Sequence, residues 1–138
     1  MDSPSFIALV GFIGWTLALL ALMEILRSAL VVSGRIPANG FQPDNANLSP
    51  FMQRLARAHA NCIEGLPVFG GLLVAAVAAD LTAITDPLAH VLVAARVLQS
   101  TVHLVATSAM AVTVRFLAFS VQLAIAAWWV VHLLAAEA

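Results

Sequence analysis

The stretch FMQRLARAHANCIEGLPVF, residues 51–69, decides how the chain is read. It places Arg54, Arg57, His59, Asn61 and Glu64 within about three helical turns and then continues directly into apolar sequence. On a helix advancing about 100° per residue, Arg54, Arg57, Asn61, Glu64 and Gly65 fall within roughly a quarter of the circumference, and His59 projects from nearly the opposite side. Such a stripe is ordinary on a soluble helix. Its meaning depends on the solvent around it.

That solvent is not water. Of 138 residues, 62% are hydrophobic and only 9% charged, far below the roughly 25% charged residues of soluble domains. The composition is that of a membrane protein. All the basic residues are arginines and the net charge is −1, so no basic stripe exists to hold a nucleic-acid backbone, and nucleic acid is excluded as a partner. The single Cys62 allows no internal disulfide, and no Cys/His spacing suits a metal; Cys62 reads as a small buried residue.

Residues 5–23, 65–79, 97–114 and 116–136 are apolar runs. Extended to their natural breaks, they approach or exceed the length that crosses about 30 Å of hydrocarbon. The expectation is an all-α, up-down four-helix membrane bundle in a single domain over 1–138, with helices near 5–32, 50–80, 86–108 and 113–136 and one long loop over 33–49. The first run follows Asp2 rather than a basic segment and is long for a signal-peptide core, so it reads as a retained helix. Asp86 and Pro87 read as the cap and first residue of helix 3. The boundary between helices 3 and 4, around 108–113, carries no such punctuation.

Arg27, Arg35, Arg54, Arg57 and Arg115 gather at the ends facing the 1–2 and 3–4 loops, whereas Asp2, Asp80, Asp86 and Glu137 gather at the other. The positive-inside rule then places both loops in the cytoplasm and both termini outside it. Trp128 and Trp129 read as headgroup-level indoles, and Gly70 with Gly71 as a site of close helix packing. His59, His90 and His132 form no cluster and read as structural or interfacial residues.

Arg96 lies ten residues after Asp86, about 15 Å into its helix and near the bilayer midplane. A charge there costs at least about 2.5 kcal/mol facing lipid, so it is expected to point into the bundle and meet a carboxylate. Glu64 is the first candidate. Glu24 is the second, although Arg27 at i+3 competes for it. Helix 3 continues the polar face with Gln99 and His103 at i+3 and i+7 from Arg96, and helix 4 sets Arg115, Phe119 and Gln122 on one face.

Two readings of these stripes stand side by side. In one they are interhelical glue, a Glu64–Arg96 pair with Gln99 and Gln122 bonded across helices. In the other, the surplus of arginine forks over pairing needs serves an anionic ligand, with Glu64 available for an ammonium group.

The segment RLARAHANCIEGLPVF resembles the helix 2 signature of the MAPEG superfamily, the membrane-associated proteins of eicosanoid and glutathione metabolism, in which an Arg-Ala-x-x-Asn-x-x-Glu core precedes an apolar segment containing Pro and Phe. The resemblance extends along the chain, through its length, four spans, proline-containing 1–2 loop and arginines in helices 3 and 4. It implies a homotrimer of four-helix bundles binding glutathione between neighbouring subunits, in a bacterial inner membrane, with membrane lipids and a lipophilic small molecule as further partners. Arg57 and Asn61 would contact the peptide's carboxylates and backbone, and Glu64 either its amino group or the helix 3 arginine. Arg54, Arg96, Gln99 and His103 complete the expected glutathione-binding set, and Arg115 would be the catalytic residue holding the thiol as thiolate. His103 is either a hydrogen-bond donor to glutathione or a polar residue satisfied between helices. Family tyrosine positions are occupied here by His103, Phe119 and Gly65, and the chain contains no Tyr. The implied activity is that of a glutathione transferase or peroxidase acting on lipophilic electrophiles; the alternative is a non-catalytic protein of the same fold that binds lipid or a membrane partner.

Overall fold

The computed structural model describes residues 3–138, so Asp2 lies outside the described residues. Four helices are long and apolar enough to cross a membrane: α1 (Pro4–Val32), α2 (Pro50–Ala78), α3 (Thr82–Val105) and α4 (Ala109–Glu137). Large apolar side chains such as Leu17, Ile25, Phe116 and Leu134 remain exposed on their outer faces, the arrangement suited to contact with lipid rather than water.

Each boundary has a local cause. Pro50 follows Ser49, whose hydroxyl accepts the Met52 N–H at 3.3 Å, and so begins α2. At the end of α1, Gly34 adopts φ +74, Arg35 N–H bonds to the Leu30 carbonyl at 3.0 Å and Gly34 N–H to that of Val31 at 3.0 Å. This pair of bonds is the Schellman stop. The same stop closes α2, with Asp80 at φ +59 in the position glycine favours. Ser108 caps α4 through the Ala111 N–H at 3.1 Å, supplying the break that the sequence did not display.

The reading of Asp86 and Pro87 is corrected. Helix α3 begins at Thr82, a turn earlier, and Pro87 lies inside it. Asp86 caps a different helix: its Oδ1 accepts the backbone N–H of Ser5 at 2.9 Å and the hydroxyls of Ser3 and Ser5 at 2.9 and 2.6 Å. A carboxylate so placed satisfies donors that the first turn of α1 leaves free and complements the helix dipole.

Residues Leu66–Gly70 form a π-helical turn within α2. Pro67 lacks the N–H that a regular turn requires, and the wider turn accommodates it. The turn carries Phe69 inward, where its ring centroid lies 6.3 Å from that of Phe12. Gly70 is buried because a side chain there would meet Leu66 and Leu9 of α1; Gly71 has open space and is not a packing glycine.

Two apolar clusters fill the bundle. One, toward the end bearing Asp86, joins all four helices through Ala8, Phe12, Phe69, Leu73, Leu92, Ile125 and Trp129. The other, toward the end bearing most arginines, joins α1 and α2 through Leu19, Met23, Met52, Leu55 and Cys62. Trp129 is thus a core residue, contrary to the headgroup reading, whereas Trp128 is half exposed and stacks on His132 with centroids 3.6 Å apart.

The 1–2 loop is folded rather than merely exposed. Asn45, fully buried at φ +57, accepts Arg27 Nε at 3.0 Å and donates to the Met52 carbonyl at 2.8 Å. Arg27 also reaches the Gln42 carbonyl at 3.1 Å and lies over the Phe41 ring. One arginine and one asparagine therefore tie the loop to α1 and α2.

Candidate functional site

The polar stripe of α2 faces α3 and divides between two open pockets. The larger, about 640 Å³, lies toward the loop and is lined by Arg54, Arg57, His103, Gln53, Asp44 and Thr107 among others. The smaller, about 330 Å³, is lined by Asn61, Glu64, Gly65, Phe69, Arg96, Gln99 and Phe119. Both volumes fall in the range that holds small molecules. Arg57 and Asn61, one helical turn apart, stand at the adjoining margins.

All of the expected binding residues line one pocket or the other, but their present duties differ. Arg54 Nε donates to the Leu104 carbonyl at 3.1 Å, satisfying an acceptor at the open end of α3. Gln122 Nε2 donates to Gln99 Oε1 at 2.9 Å, a bond across helices. By contrast, the side chains of Arg57, Asn61 and Glu64 have no hydrogen-bonding partner among the described residues. The stripe thus contains both glue and unengaged groups, and the unengaged ones are a fork of donors, an amide and a carboxylate on one face.

Arg96 points into the bundle as expected, 2% exposed, but the expected carboxylate is absent. The ion pair present among the described residues is Arg27–Glu24, 3.6 Å apart, with the Glu24 side chain 56% exposed, a contact of small energy. Arg96 instead lies 5.5 Å from the ring centroids of both Phe12 and Phe69 and donates weakly to the Asn61 carbonyl at 3.5 Å. Each cation–π contact contributes about 0.5–2 kcal/mol, so the two together offset part of a burial cost of about 2.5–3.5 kcal/mol without forming an ion pair. The site still lacks acceptors and donors of its own: Arg96 Nε and Gln122 Oε1 are buried with no partner.

Glycine at position 65 makes this arrangement possible. A Cβ there would stand 2.9 Å from Arg96 Nη2 and 3.2 Å from the Phe69 ring. Cys62 is fully buried, its sulfur 3.5 Å from the Ser100 hydroxyl. His59 projects away from both pockets, with Nε2 buried and unpartnered.

Arg115 lines neither pocket. Its Nη1 is 2.9 Å from His103 Nδ1, so it sits behind a residue that does line the larger one. The sequence reading missed Gln53, Asp44 and Thr107. Gln53, one turn before Arg57 and next to Arg54, widens the stripe and was visible from periodicity, whereas Asp44 arrives from the loop and left no periodic signal.

Four apolar helices long enough to cross a membrane, with an arginine-bearing polar face along α2, define a class: a multi-pass integral membrane protein. A sequence profile of the MAPEG family matches residues 6–135, and the chain belongs to that family. No curated protein and no solved structure matched it.

Proposed function

We propose that the protein binds glutathione and acts as a glutathione transferase or peroxidase toward lipophilic electrophiles. The observation that carries this reading is the unengaged trio Arg57, Asn61 and Glu64 on the pocket face of α2. The donor set fits the ligand. Arg57 offers a bidentate fork to a carboxylate, Asn61 an amide to the peptide backbone, and Glu64 a carboxylate to the α-ammonium group. Arg96, which lines the same pocket, adds a cationic side chain beside them.

Bound glutathione would supply a thiol, which is nucleophilic as the thiolate. The chain's own part is to place the peptide and to surround the thiol with positive charge. Arg54 and Arg57, which line the same pocket as His103, favour the anion over the neutral thiol, whose ordinary pKa is about 8.5. The electrophile would arrive laterally from the bilayer along the apolar faces of Phe119 and Leu123, which line the smaller pocket. In this reading the open pockets are closed by neighbouring subunits of a homotrimer, and the arginine-bearing end faces the cytoplasm.

A second reading, a non-catalytic relative that binds lipid or a membrane partner, is favoured by the absence of tyrosine and by Arg115 lining neither pocket. Calorimetric titration of the detergent-solubilised protein with glutathione separates the two. Saturable binding that Arg57→Ala weakens is the expected result. No heat of binding to wild type would overturn the glutathione reading.

A further inference from the structure

We propose that His103, rather than Arg115, presents the hydrogen-bond donor to the sulfur of bound glutathione, and that Arg115 acts through it as a positioning residue; this role rests on the glutathione reading above. The guanidinium group carries only donors and stays protonated in proteins. Because Arg115 Nη1 is 2.9 Å from His103 Nδ1, the imidazole must accept there with its lone pair. The ring is therefore neutral, and its one N–H is on Nε2.

Nε2 is the atom left for the ligand. His103 lines the larger pocket, its Nε2 makes no hydrogen bond among the described residues, and it is not among the buried unpartnered atoms. The charged groups around the ring agree with a neutral donor. Arg54 and Arg57 face the pocket from α2, Arg115 contacts the ring from α4, and Asp44 of the loop is the carboxylate on the pocket wall. A second proton on the ring would confront Arg115 with a donor and add a fourth cation to the cluster.

Arg115 also changes what the ring does. A cationic donor on Nδ1 draws electron density from the imidazole and strengthens the hydrogen bond that Nε2–H gives to an anion. The thiol proton passes to water through the open mouth of the pocket, the electron pair stays on sulfur, and His103 keeps its own proton throughout. Arg115 thus contributes orientation and polarisation from a place the ligand does not touch.

Two measurements test this. The first is nitrogen NMR of histidine-labelled full-length protein in lipid nanodiscs at neutral pH, without glutathione. The expected signal for His103 is an Nε2–H tautomer with Nδ1 unprotonated; an Nδ1–H tautomer or a charged ring overturns the proposal, and no substitution is needed. The second is the thiolate absorbance of bound glutathione against pH in wild type, His103→Gln, His103→Met, Arg115→Met and the double variant His103→Met/Arg115→Met. His103→Met is expected to move the titration back toward about 8.5, His103→Gln to keep most of the wild-type position, since its amide both accepts and donates, and Arg115→Met to add nothing in the His103→Met background. A wild-type titration in His103→Met would remove His103 as the donor, and a full Arg115→Met effect in that background would show that Arg115 acts directly; either overturns the proposal. If calorimetry shows that wild type binds no glutathione, the proposed function fails and this role fails with it; if glutathione binds and only the titrations disagree, this role alone falls.

Discussion

Arg96 and Gly65 share one space: the Nη2 of the arginine lies 2.9 Å from the point where a β-carbon on residue 65 would stand. The guanidinium occupies room that any side chain would claim, and the Phe69 ring closes the other side at 3.2 Å. Gly65→Ala should therefore displace the arginine or the ring and destabilise the protein by about 1–3 kcal/mol, the usual penalty for overpacking. Thermal unfolding in detergent measures it. An unchanged midpoint would mean that the arginine end swings aside freely.

Glu64→Gln is expected to leave thermal stability within about 0.5 kcal/mol of wild type, because Glu64 is exposed and pairs with no cation among the described residues. A loss of several kcal/mol would place the missing ion pair back between Glu64 and Arg96. Its effect should appear in binding instead. Losing a charged hydrogen bond, about 1.5–3 kcal/mol, weakens glutathione affinity roughly ten- to hundredfold.

Arg57→Ala should show the same separation on the carboxylate side. Arg57 is exposed and makes no hydrogen bond among the described residues, so unfolding should be unaffected while calorimetry reports a roughly ten- to hundredfold weaker complex. Equal affinity in wild type and variant would remove Arg57 from the site.

These contrasts mark what sequence can and cannot specify. Periodicity identified the faces: Arg57, Asn61 and Glu64 do lie toward the pockets, Arg96 does point inward, and Gln99 does meet Gln122. Partners were another matter. Spacing says which side a long side chain leaves from, but Arg96 reaches two phenyl rings rather than the nearest carboxylate because the π turn delivers Phe69 and Gly65 makes room. Asp86 was legible as a helix cap, yet nothing local told that the capped helix is eighty residues away in sequence. Trp129 stands next to exposed Trp128 in sequence, and only the bundle distinguishes them.

Asn45→Ala should loosen the whole 33–49 segment. It removes the acceptor of Arg27 and the donor to the Met52 carbonyl at a fully buried position with φ +57. The expected loss is about 2–4 kcal/mol, accompanied by faster proteolysis within the loop. Cleavage at the wild-type rate would show that the remaining turns hold the loop unaided.

Asp80→Gly works in the opposite direction. Asp80 closes α2 at φ +59, where a β-carbon is unfavourable. Glycine should raise stability by about 0.5–1 kcal/mol, read as a higher unfolding midpoint with unchanged glutathione affinity. A lower midpoint would assign the aspartate side chain a role that its backbone angle conceals.

The π turn at Leu66–Gly70 also fixes how α2 tolerates changes of length. A π turn absorbs one residue beyond the regular α repeat, so the pocket-lining residues before it and the core residues after it keep the relative orientation of a regular helix one residue shorter. Deleting one residue within the turn would return it to regular α geometry with both halves still facing as they do, whereas deleting one in the regular helix on either side would rotate one half of α2 by about 100° against the other. In that second case either Leu73 and Ala76 would leave the core or Asn61 and Glu64 would leave the pocket. The loss of one residue can be absorbed at this turn, whereas the same loss elsewhere in α2 forces a choice between folding and binding.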